Sequence, residues 1–288
     1  MPELPEVEIV KQSLEKKVKY KIIDSVLVKN PNLRFKIQKN FKEFLKKKKI
    51  LSVDRRSKYI IISLENNKFL LVHFGMSGTL HHRYNKNSNN LYSNLSFYNS
   101  MKLPKKHNHI EIFFSNFKII YNDPRRFGFF KILYSKKELN EYFKKIGPEP
   151  FDRIFSFKYL KKNIYNKNKN IKNLLLDQSL VAGIGNIYAN EILFYSKINP
   201  FKRGKEISEN QIKKIIKFSK YVLNKAIKKG GSSIRNFKNI KGKDGSYQKE
   251  FKVYDKEGKI CPTKNCNEKI VKLNISNRST YVCKVCQK

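Results

Sequence analysis

The first eight residues of the chain, MPELPEVE, combine a potential amine nucleophile with carboxylate groups. Methionine before a small residue is the usual substrate for initiator removal, which would leave Pro2 with a free secondary amine. An α-amino group has a pKa of about 8, against about 10.4 for lysine, so a much larger fraction of it is neutral at pH 7. Its attack on a sugar C1′ would give a cationic iminium of the Schiff-base type, with Glu3 and Glu6 close by. The segment is equally typical of a helix start, because proline and early glutamates suit the first turn.

All four cysteines lie near the C-terminus, in the spacing Cys261-x4-Cys266-x16-Cys283-x2-Cys286. Two short pairs on hairpin knuckles can place four thiolates tetrahedrally around one Zn²⁺. Since four protein ligands leave no open position, the pattern predicts one structural zinc ion. The clustering argues against scattered disulfides, and four free surface thiols are the alternative interpretation.

A turn sequence with two arginines and an aromatic residue, Asn122-Asp123-Pro124-Arg125-Arg126-Phe127, joins two strand-like runs. Because Asp-Pro favours turns, we predict a hairpin tip here. Its functional interpretation is a wedge, in which the ring enters a base stack and an arginine occupies the space of an extruded base. An ordinary basic loop is the alternative.

Two glycine-bearing turns are further candidates for binding. The turn His73–Gly78 carries Met76, which is either a DNA probe or core filler. The turn Gly183–Tyr188 places Asn186 at a predicted helix N-terminus, where free backbone N–H groups favour a phosphate. Capping of the helix by Asn186 is the alternative. Lys58, after Arg55-Arg56-Ser57, heads a predicted strand.

These residues are separated by elements of two kinds. Residues 20–134 contain short, β-branched or aromatic runs bounded by turns, which predict an antiparallel sandwich or barrel. The predicted strands are 22–28, 59–64, 68–74, 109–114, 118–121 and 127–133. From Tyr159 the pattern is helical, with helices from 171, over 187–195 and over 208–229. Loops are predicted over 84–106 and 235–249.

The composition of the chain is strongly basic, with a formal net charge of +40 over 288 residues. Such a charge is typical of proteins that bind a polyanion, most often nucleic acid. Only ten of the 63 basic residues are arginine, and Asn, Ile, Phe and Tyr are abundant. An AT-rich genome produces this pattern, so scattered lysines do not locate a binding surface. No apolar run approaches the roughly 18 residues of a membrane span, and the acidic N-terminus is unlike a signal peptide. We therefore expect an intracellular protein.

Together these motifs resemble the formamidopyrimidine-DNA glycosylase (Fpg) family along essentially the whole chain. The matching stretches occur in the family's order: Pro2–Glu8, Arg55–Tyr59, His73–Gly78, Asp123–Gly128, Gly183–Tyr188 and Asn277–Tyr281 with the four cysteines. The resemblance implies an α+β multidomain fold. An N-terminal catalytic β-sandwich with the first helix is expected over 1–134, a linker over 135–150, a helix–two-turn–helix DNA-binding domain with a lesion-capping loop over 151–250, and a zinc finger over 251–288.

The resemblance implies a bifunctional DNA glycosylase/AP lyase of base excision repair. It would excise oxidised purines, such as 8-oxoguanine paired with cytosine and formamidopyrimidines, and then cleave the strand by β,δ-elimination. Pro2 would be the nucleophile at C1′, Glu3 the acid/base acting on the sugar ring oxygen, and Glu6 their support. Lys58 and Arg278 complete the implied catalytic set.

The resemblance also implies the contacts with DNA. Met76, Arg125 and Phe127 would fill the space left by the flipped base, with Arg125 facing the orphan cytosine. Phosphates around the lesion would be held by Lys58, His73, Asn186, Tyr254, Lys272 and Arg278. Residues 235–247 would close over the extruded base. The expected partner is damaged double-stranded DNA, bound by a monomer in the bacterial cytoplasm, with no membrane association.

Three departures from the family pattern stand out. The first cysteine pair has four intervening residues, where the family usually has two, and the family's His-Leu-Gly-Met is His-Phe-Gly-Met here. In residues 166–170 the lysine that contacts the base in relatives has no clear counterpart, so Lys167 is left out of the predicted site.

Two alternative functions remain: an endonuclease VIII-like enzyme acting on oxidised pyrimidines, and a non-catalytic zinc-dependent DNA-binding protein. Leu4 and the trio Met76, Arg125 and Phe127 favour Fpg over the first, and Pro2 beside Glu3 argues against the second.

Overall fold

The computed structural model describes residues 1–84, 92–94, 104–232 and 246–288. The chain divides into two compact units. The first comprises residues 1–144 together with the segment 230–246, of which Gly230–Ser232 and Ser246 are described. The second comprises residues 145–229 and 247–288.

The first unit contains two antiparallel sheets and a helix at its N-terminus. Its elements are α1 (Leu4–Val18), β1 (Ser25–Val28), α2 (Phe41–Leu45), β2 (Ile50–Arg56), β3 (Tyr59–Leu64), β4 (Lys68–His73), β5 (Thr79–Tyr84), β6 (Tyr92–Asn94), β7 (Asn108–Phe113), β8 (Phe117–Asn122), β9 (Phe129–Leu133) and α3 (Lys136–Phe143). One sheet has the strand order β1-β7-β8-β5-β6, and the other has the order β2-β3-β4-β9.

One apolar core joins both sheets and α1. On α1 the residues Val7, Val10 and Leu14 lie on one face at helical spacing and are almost fully buried. They pack with residues of both sheets, such as Ile60 and Ile110. Fully burying one such side chain contributes about 1.5–3 kcal/mol. The core therefore anchors α1, whose first turn carries the N-terminal carboxylates, on the sandwich.

The predicted hairpin at 122–127 is wrong. Strand β8 pairs with β7 and β5 in the five-stranded sheet, whereas β9 pairs with β4 in the four-stranded sheet. The segment Asp123–Gly128 is therefore a crossover between sheets, as is the loop Phe74–Gly78 between β4 and β5. Short turns between strands favour a hairpin locally, but the partner of each strand is chosen by the packing of the two sheets.

Three other parts of the first unit differ from the sequence prediction. Strand β2 precedes β3, and the register Arg56↔Tyr59 leaves Lys58 in the two-residue turn between them rather than at the start of a strand. Strand β5 has the polar sequence TLHHRY, which carries no apolar alternation, although His81 and His82 are buried. Residues 135–150, predicted as a linker, contain α3, which packs through Leu139 on the four-stranded sheet.

The second unit is helical and ends in a two-stranded ribbon. Its elements are α4 (Phe157–Ile164), α5 (Ile171–Leu176), α6 (Asn186–Ser196), α7 (Glu209–Lys228), β10 (Val271–Ile275) and β11 (Arg278–Val282). The predicted helix positions agree with α5, α6 and α7. Ser208 caps α7 by accepting a hydrogen bond from Gln211 N. Helix α6 is buried along almost its whole length, because α5, α7 and β11 pack against it.

No helix among the described residues has the length and apolar character needed to cross a lipid bilayer.

Candidate active site and nucleic-acid interface

The N-terminal amine lies in a group of charged side chains of the first unit. Burial, together with the nearby charges of Lys58 and Arg125, lowers the pKa of the Met1 α-amino group, against the opposing effect of Glu3 and Glu6. Glu3 and Lys58 are themselves buried. The structure thus brings together the first four residues of the predicted catalytic set, Pro2, Glu3, Glu6 and Lys58, with Arg125 beside them.

Glu6 links the start of α1 to Ser232 through hydrogen bonds. One carboxylate oxygen, Oε2, accepts a hydrogen bond from Glu3 N at 3.0 Å. The other, Oε1, accepts from Ser232 N and from Ser232 Oγ, both at 2.8 Å. Three donors on one buried carboxylate hold the backbone beside Pro2 in place. Sequence reasoning missed Ser232, which lies more than 200 residues from Glu6.

The turn that carries Lys58 is braced by a salt bridge to α1. Arg55 Nε lies 2.8 Å from Glu8 Oε2, and Arg55 Nη1 donates to Ser57 O at 2.9 Å. Ser57 adopts a positive φ of 56°, which lets the two-residue turn close. The third early carboxylate, Glu8, therefore positions this turn instead of facing the amine.

His73, a predicted phosphate contact, is a neutral imidazole. Burial and, to a lesser extent, the positive charges of Lys58 and Arg34 lower its pKa to about 4. Its Nδ1 accepts a hydrogen bond from Gly75 N at 3.1 Å, so the ring proton lies on Nε2. The ring stacks on Phe129 with a centroid distance of 5.3 Å. His73 can therefore donate one well-oriented hydrogen bond without carrying a charge.

The residues of the predicted wedge lie on the two crossover loops. Met76 is 42% exposed and Phe127 is 44% exposed, so both apolar side chains are accessible to solvent. The guanidinium of Arg125 lies 4.7 Å from the centroid of the Phe127 ring, an arrangement that stabilises both side chains. Next to them, a pocket of about 640 Å³ is lined by Asn32, Leu33, Arg34, Arg125, Arg126 and Phe127. Sequence reasoning missed Arg34; its signal was only that it is one of ten arginines.

In the second unit, Asn186 is the first residue of α6, and the helix N-cap is Gly185. Asn186 does not cap the helix; its Nδ2 donates to Ser279 O at 3.0 Å. The preceding glycine turn is shaped by Gln178, which accepts from Gly183 N and donates to Ile184 O. Asn186 thus joins the start of α6 to Ser279 of β11.

Helix α6 also positions Tyr254. The fully buried carboxylate of Glu191 accepts hydrogen bonds from the backbone N–H groups of Lys252, Val253 and Tyr254 at 2.9–3.0 Å. Burial raises the pKa of Glu191, while these hydrogen bonds oppose the rise. The Tyr254 ring packs edge-on against Tyr281, with a centroid distance of 5.1 Å.

Lys272 and Arg278 both lie exposed on the β10–β11 ribbon. In its register Lys272 pairs with Tyr281 and Arg278 pairs with Ile275. Because side chains alternate along a strand, these pairs lie on opposite faces of the ribbon. Lys272 Nζ lies 3.8 Å from a Glu257 carboxylate oxygen. Arg278 follows the turn of Ser276 and Asn277, both of which have positive φ.

A buried lysine that sequence reasoning did not single out joins α5 to β11. Lys172 is fully buried, and its Nζ donates to Ser279 O at 2.8 Å and to Thr280 Oγ1 at 2.7 Å. A lysine inside the apolar run Ile171–Leu176 was the available signal. Most of the predicted capping segment 235–247 lies outside the described residues; its last residue, Tyr247, is buried.

The four cysteine thiols lie together in a cluster that could hold one metal ion. Their sulfur atoms lie within 4.8 Å of one another, and the Sγ–Sγ distances are 3.8 Å for Cys261 and Cys286 and 3.7 Å for Cys266 and Cys283. Four thiolates at about 2.3 Å from one tetrahedral ion would be about 3.8 Å apart. The four-residue spacing of the first pair is accommodated by Asn265, which has a φ of 62°. The two Sγ–Sγ distances match the spacing expected around one tetrahedral ion, so the cysteines fit one metal ion.

Comparison with known proteins finds relatives that match this chain along its whole length. The family described as "Formamidopyrimidine-DNA glycosylase N-terminal domain" matches residues 1–130, and the "Formamidopyrimidine-DNA glycosylase H2TH domain" matches residues 146–238. The formamidopyrimidine-DNA glycosylase of Rickettsia bellii is 40% identical over 289 residues, and that of the Wolbachia of Drosophila simulans is 39% identical over 288, with 100% of each chain covered.

Solved structures of similar fold are also formamidopyrimidine-DNA glycosylases. A Lactococcus lactis Fpg mutant in complex with DNA containing Fapy-dG is 34% identical and has a TM-score of 0.87, with both chains covered completely. The complex of L. lactis Fpg with DNA containing an abasic site has a TM-score of 0.86 at 34% identity, with 99% of each chain covered. The predicted fold class is therefore confirmed, and this chain belongs to the formamidopyrimidine-DNA glycosylase family, the DNA glycosylases of DNA repair.

Proposed function

We propose that this chain is a bifunctional DNA glycosylase and AP lyase that excises oxidised purines from duplex DNA through Pro2. The observation that carries the proposal is the position of the N-terminal amine, whose pKa is lowered by burial and which lies near Glu3, Glu6, Lys58 and Arg125. After removal of Met1, the Pro2 amine attacks C1′ of the damaged nucleotide. The N–C1′ bond forms as the C1′–base bond breaks, and the proton lost by the amine passes to the departing base. Glu3 then donates a proton to the ring oxygen of the sugar as the C1′–O4′ bond opens, which leaves an iminium at C1′.

Strand cleavage follows from the iminium formed at C1′. Loss of a proton from C2′ expels the 3′ phosphate by β-elimination, and a second elimination expels the 5′ phosphate. Lys58 and Arg278 are the cationic side chains that we assign to these steps and to the phosphates beside them. The neutral His73 donates one hydrogen bond to a phosphate oxygen through Nε2.

Met76, Arg125 and Phe127 occupy the space of the extruded base in this proposal. Arg125 offers planar donors to the O2 and N3 acceptors of an unpaired cytosine, which an adenine does not present in the same way. The pocket beside it, with Arg34 and Arg126, carries positive charge suited to the strand opposite the lesion. Excision opposite cytosine is expected to depend on Arg125, and opening of the base stack on Phe127.

Asn186, Tyr254, Lys272 and Arg278 are the proposed phosphate contacts of the second unit. The metal of the cysteine cluster is proposed to be one structural zinc ion, which would hold the ribbon that carries Lys272 and Arg278. The partner is damaged double-stranded DNA, bound by a monomer in the bacterial cytoplasm. Purine lesions are favoured because an L. lactis Fpg complex contains Fapy-dG. Oxidised pyrimidines are a second candidate, since wild-type L. lactis Fpg was also crystallised with such DNA.

The test is borohydride trapping on a duplex with 8-oxoguanine opposite cytosine. We expect a covalent protein–DNA product whose peptide map places the crosslink on the N-terminal proline, and Lys58→Ala should still trap there. A duplex with an oxidised pyrimidine, run in parallel, ranks the two lesion classes. A crosslink at a lysine would remove Pro2 from its role, and binding with no trapped product on either duplex would favour a non-catalytic protein.

A further inference from the structure

The two crossover loops of the first unit converge on one buried carboxylate, that of Asp123. Asp123 is fully buried, and its two oxygens accept hydrogen bonds from four donors. Oδ1 accepts from Ser77 Oγ and from Arg125 N, the latter at 3.3 Å. Oδ2 accepts from Tyr121 Oη and Gly128 N, both at 2.9 Å. The carboxylate therefore has partners on both loops and on β8.

These hydrogen bonds bracket the proposed wedge. Ser77 directly follows Met76, and the donors at Arg125 and Gly128 enclose the segment that carries Arg125 and Phe127. Ser77 Oγ also accepts a hydrogen bond from Arg125 N at 3.1 Å. The Ser77 hydroxyl and the Asp123 carboxylate thus form a polar connection between the loop of Met76 and the loop of Phe127.

The backbones of the two loops are also in direct contact. A Cβ on Gly75 would lie 2.3 Å from Phe127 C, and one on Gly128 would lie 2.6 Å from His73 O. Such distances are shorter than real contacts, so only glycine permits this approach. The two loops are therefore packed backbone to backbone, in addition to sharing the hydrogen bonds to Asp123.

An ionised carboxylate suits this position for a chemical reason. It offers two acceptor oxygens and no donor, and all four of the groups around Asp123 can donate. An amide would turn an NH₂ group toward one pair of donors. The hydroxyl of Ser77 could reverse its role, but the backbone N–H of Arg125 could not.

We propose that Asp123 is a positioning residue that couples the Met76 loop to the Arg125–Phe127 loop, so that the three side chains enter the DNA as one rigid unit. The inference rests on the proposed wedge function of these side chains. It assigns to Asp123 and Ser77 a share in the discrimination of the opposite base, although neither side chain reaches DNA in this proposal.

The test compares Asp123→Asn and Ser77→Ala with a matched variant, Tyr121→Phe. The first two cut the connection between the loops. Tyr121→Phe removes a hydrogen bond from the same carboxylate but leaves that connection intact. Excision would be measured on duplexes with 8-oxoguanine opposite cytosine and opposite adenine, strand cleavage on a duplex with a preformed abasic site, and thermal midpoints for all variants.

We expect Asp123→Asn and Ser77→Ala to slow excision opposite cytosine by about five- to tenfold, the effect of one hydrogen bond, and to reduce the preference for cytosine over adenine. Cleavage at the preformed abasic site should change less than twofold. Ser77→Thr, which keeps the hydroxyl, should restore the preference, and Tyr121→Phe should keep it even where its thermal midpoint falls.

An unchanged preference in Ser77→Ala, or an effect of all variants in proportion to their loss of thermal stability, would overturn the role of Asp123. Arg125→Ala and Phe127→Ala, which leave the Asp123 side chain intact, separate this failure from that of the proposed function. If they change the opposite-base preference and the rate of excision while Ser77→Ala does not, the wedge stands and the coupling falls. If they change neither, the wedge itself falls.

Discussion

Replacement of Glu6 by glutamine is expected to slow base excision and to move the acidic limb of its pH–rate profile to lower pH. The carboxylate of Glu6 accepts hydrogen bonds from Glu3 N and from two donors of Ser232. In Glu6→Gln the amide NH₂ must face either the Glu3 or the Ser232 backbone N–H. One buried donor is then left without an acceptor, which costs about 1–3 kcal/mol.

The expected kinetic effect follows from that free energy. If the loss falls on Glu3 N, the amine next to it is displaced, and the rate of excision should fall by roughly 5- to 100-fold, at tenfold per 1.4 kcal/mol. The sign of the pH effect is independent of this loss. The Glu6 charge raises the pKa of the N-terminal amine, so its removal lowers that pKa and leaves more neutral amine at acidic pH.

The assay is single-turnover excision of 8-oxoguanine and borohydride trapping on abasic DNA between pH 5 and 9, with thermal unfolding as a stability control. Glu15→Gln is the matched control, since Glu15 lies on the same helix but pairs with Lys11 and Lys19. Its pH profile should equal that of the wild type. An acidic limb in Glu6→Gln that stays in place or moves to higher pH would refute the assignment of Glu6 to the environment of the amine.

Further predictions concern the metal, the buried histidines and the DNA contacts. Cys283→Ser or chelation should release one zinc ion, lower the local folding free energy by about 10 kcal/mol and abolish DNA binding. Full DNA binding by metal-free protein would contradict this. Burial lowers the pKa of His73 and His82 to about 4 and of His81 to about 3, from 6.5. Since the folded pKa lies below the unfolded one, stability should be complete above pH 6.5 and fall toward pH 4; calorimetry showing a constant thermal midpoint over this range would exclude it. Arg278→Ala should weaken binding to all duplexes alike and reduce the salt slope by about one, whereas a change confined to lesion DNA would contradict a phosphate contact.

Much of the local structure could be predicted from the sequence. The amphipathic period of α7, which follows Ser208, and the β-branched or aromatic runs of β3 and β4 are patterns within a single element, so neighbouring residues are sufficient to predict them. The cysteine cluster is similar, because two short pairs on a hairpin leave few arrangements other than one metal site. The association of Pro2 with Glu3 required no long-range information either, since the residues are adjacent.

The tertiary structure decided which strands pair and which distant groups meet. The segment after Asp123 has the turn residues of a hairpin, yet β8 and β9 belong to different sheets, because sheet packing outweighs local turn preference. Glu6 and Ser232 are hydrogen-bonded although more than two hundred residues separate them in the chain, and Lys172 and Thr280 although more than a hundred do. Buried polar groups need partners wherever the fold provides them, and no local pattern shows where these will be. The sequence therefore determined the kinds of chemistry available, while the packing of sheets and helices determined the hydrogen bonds that hold the reactive groups in place.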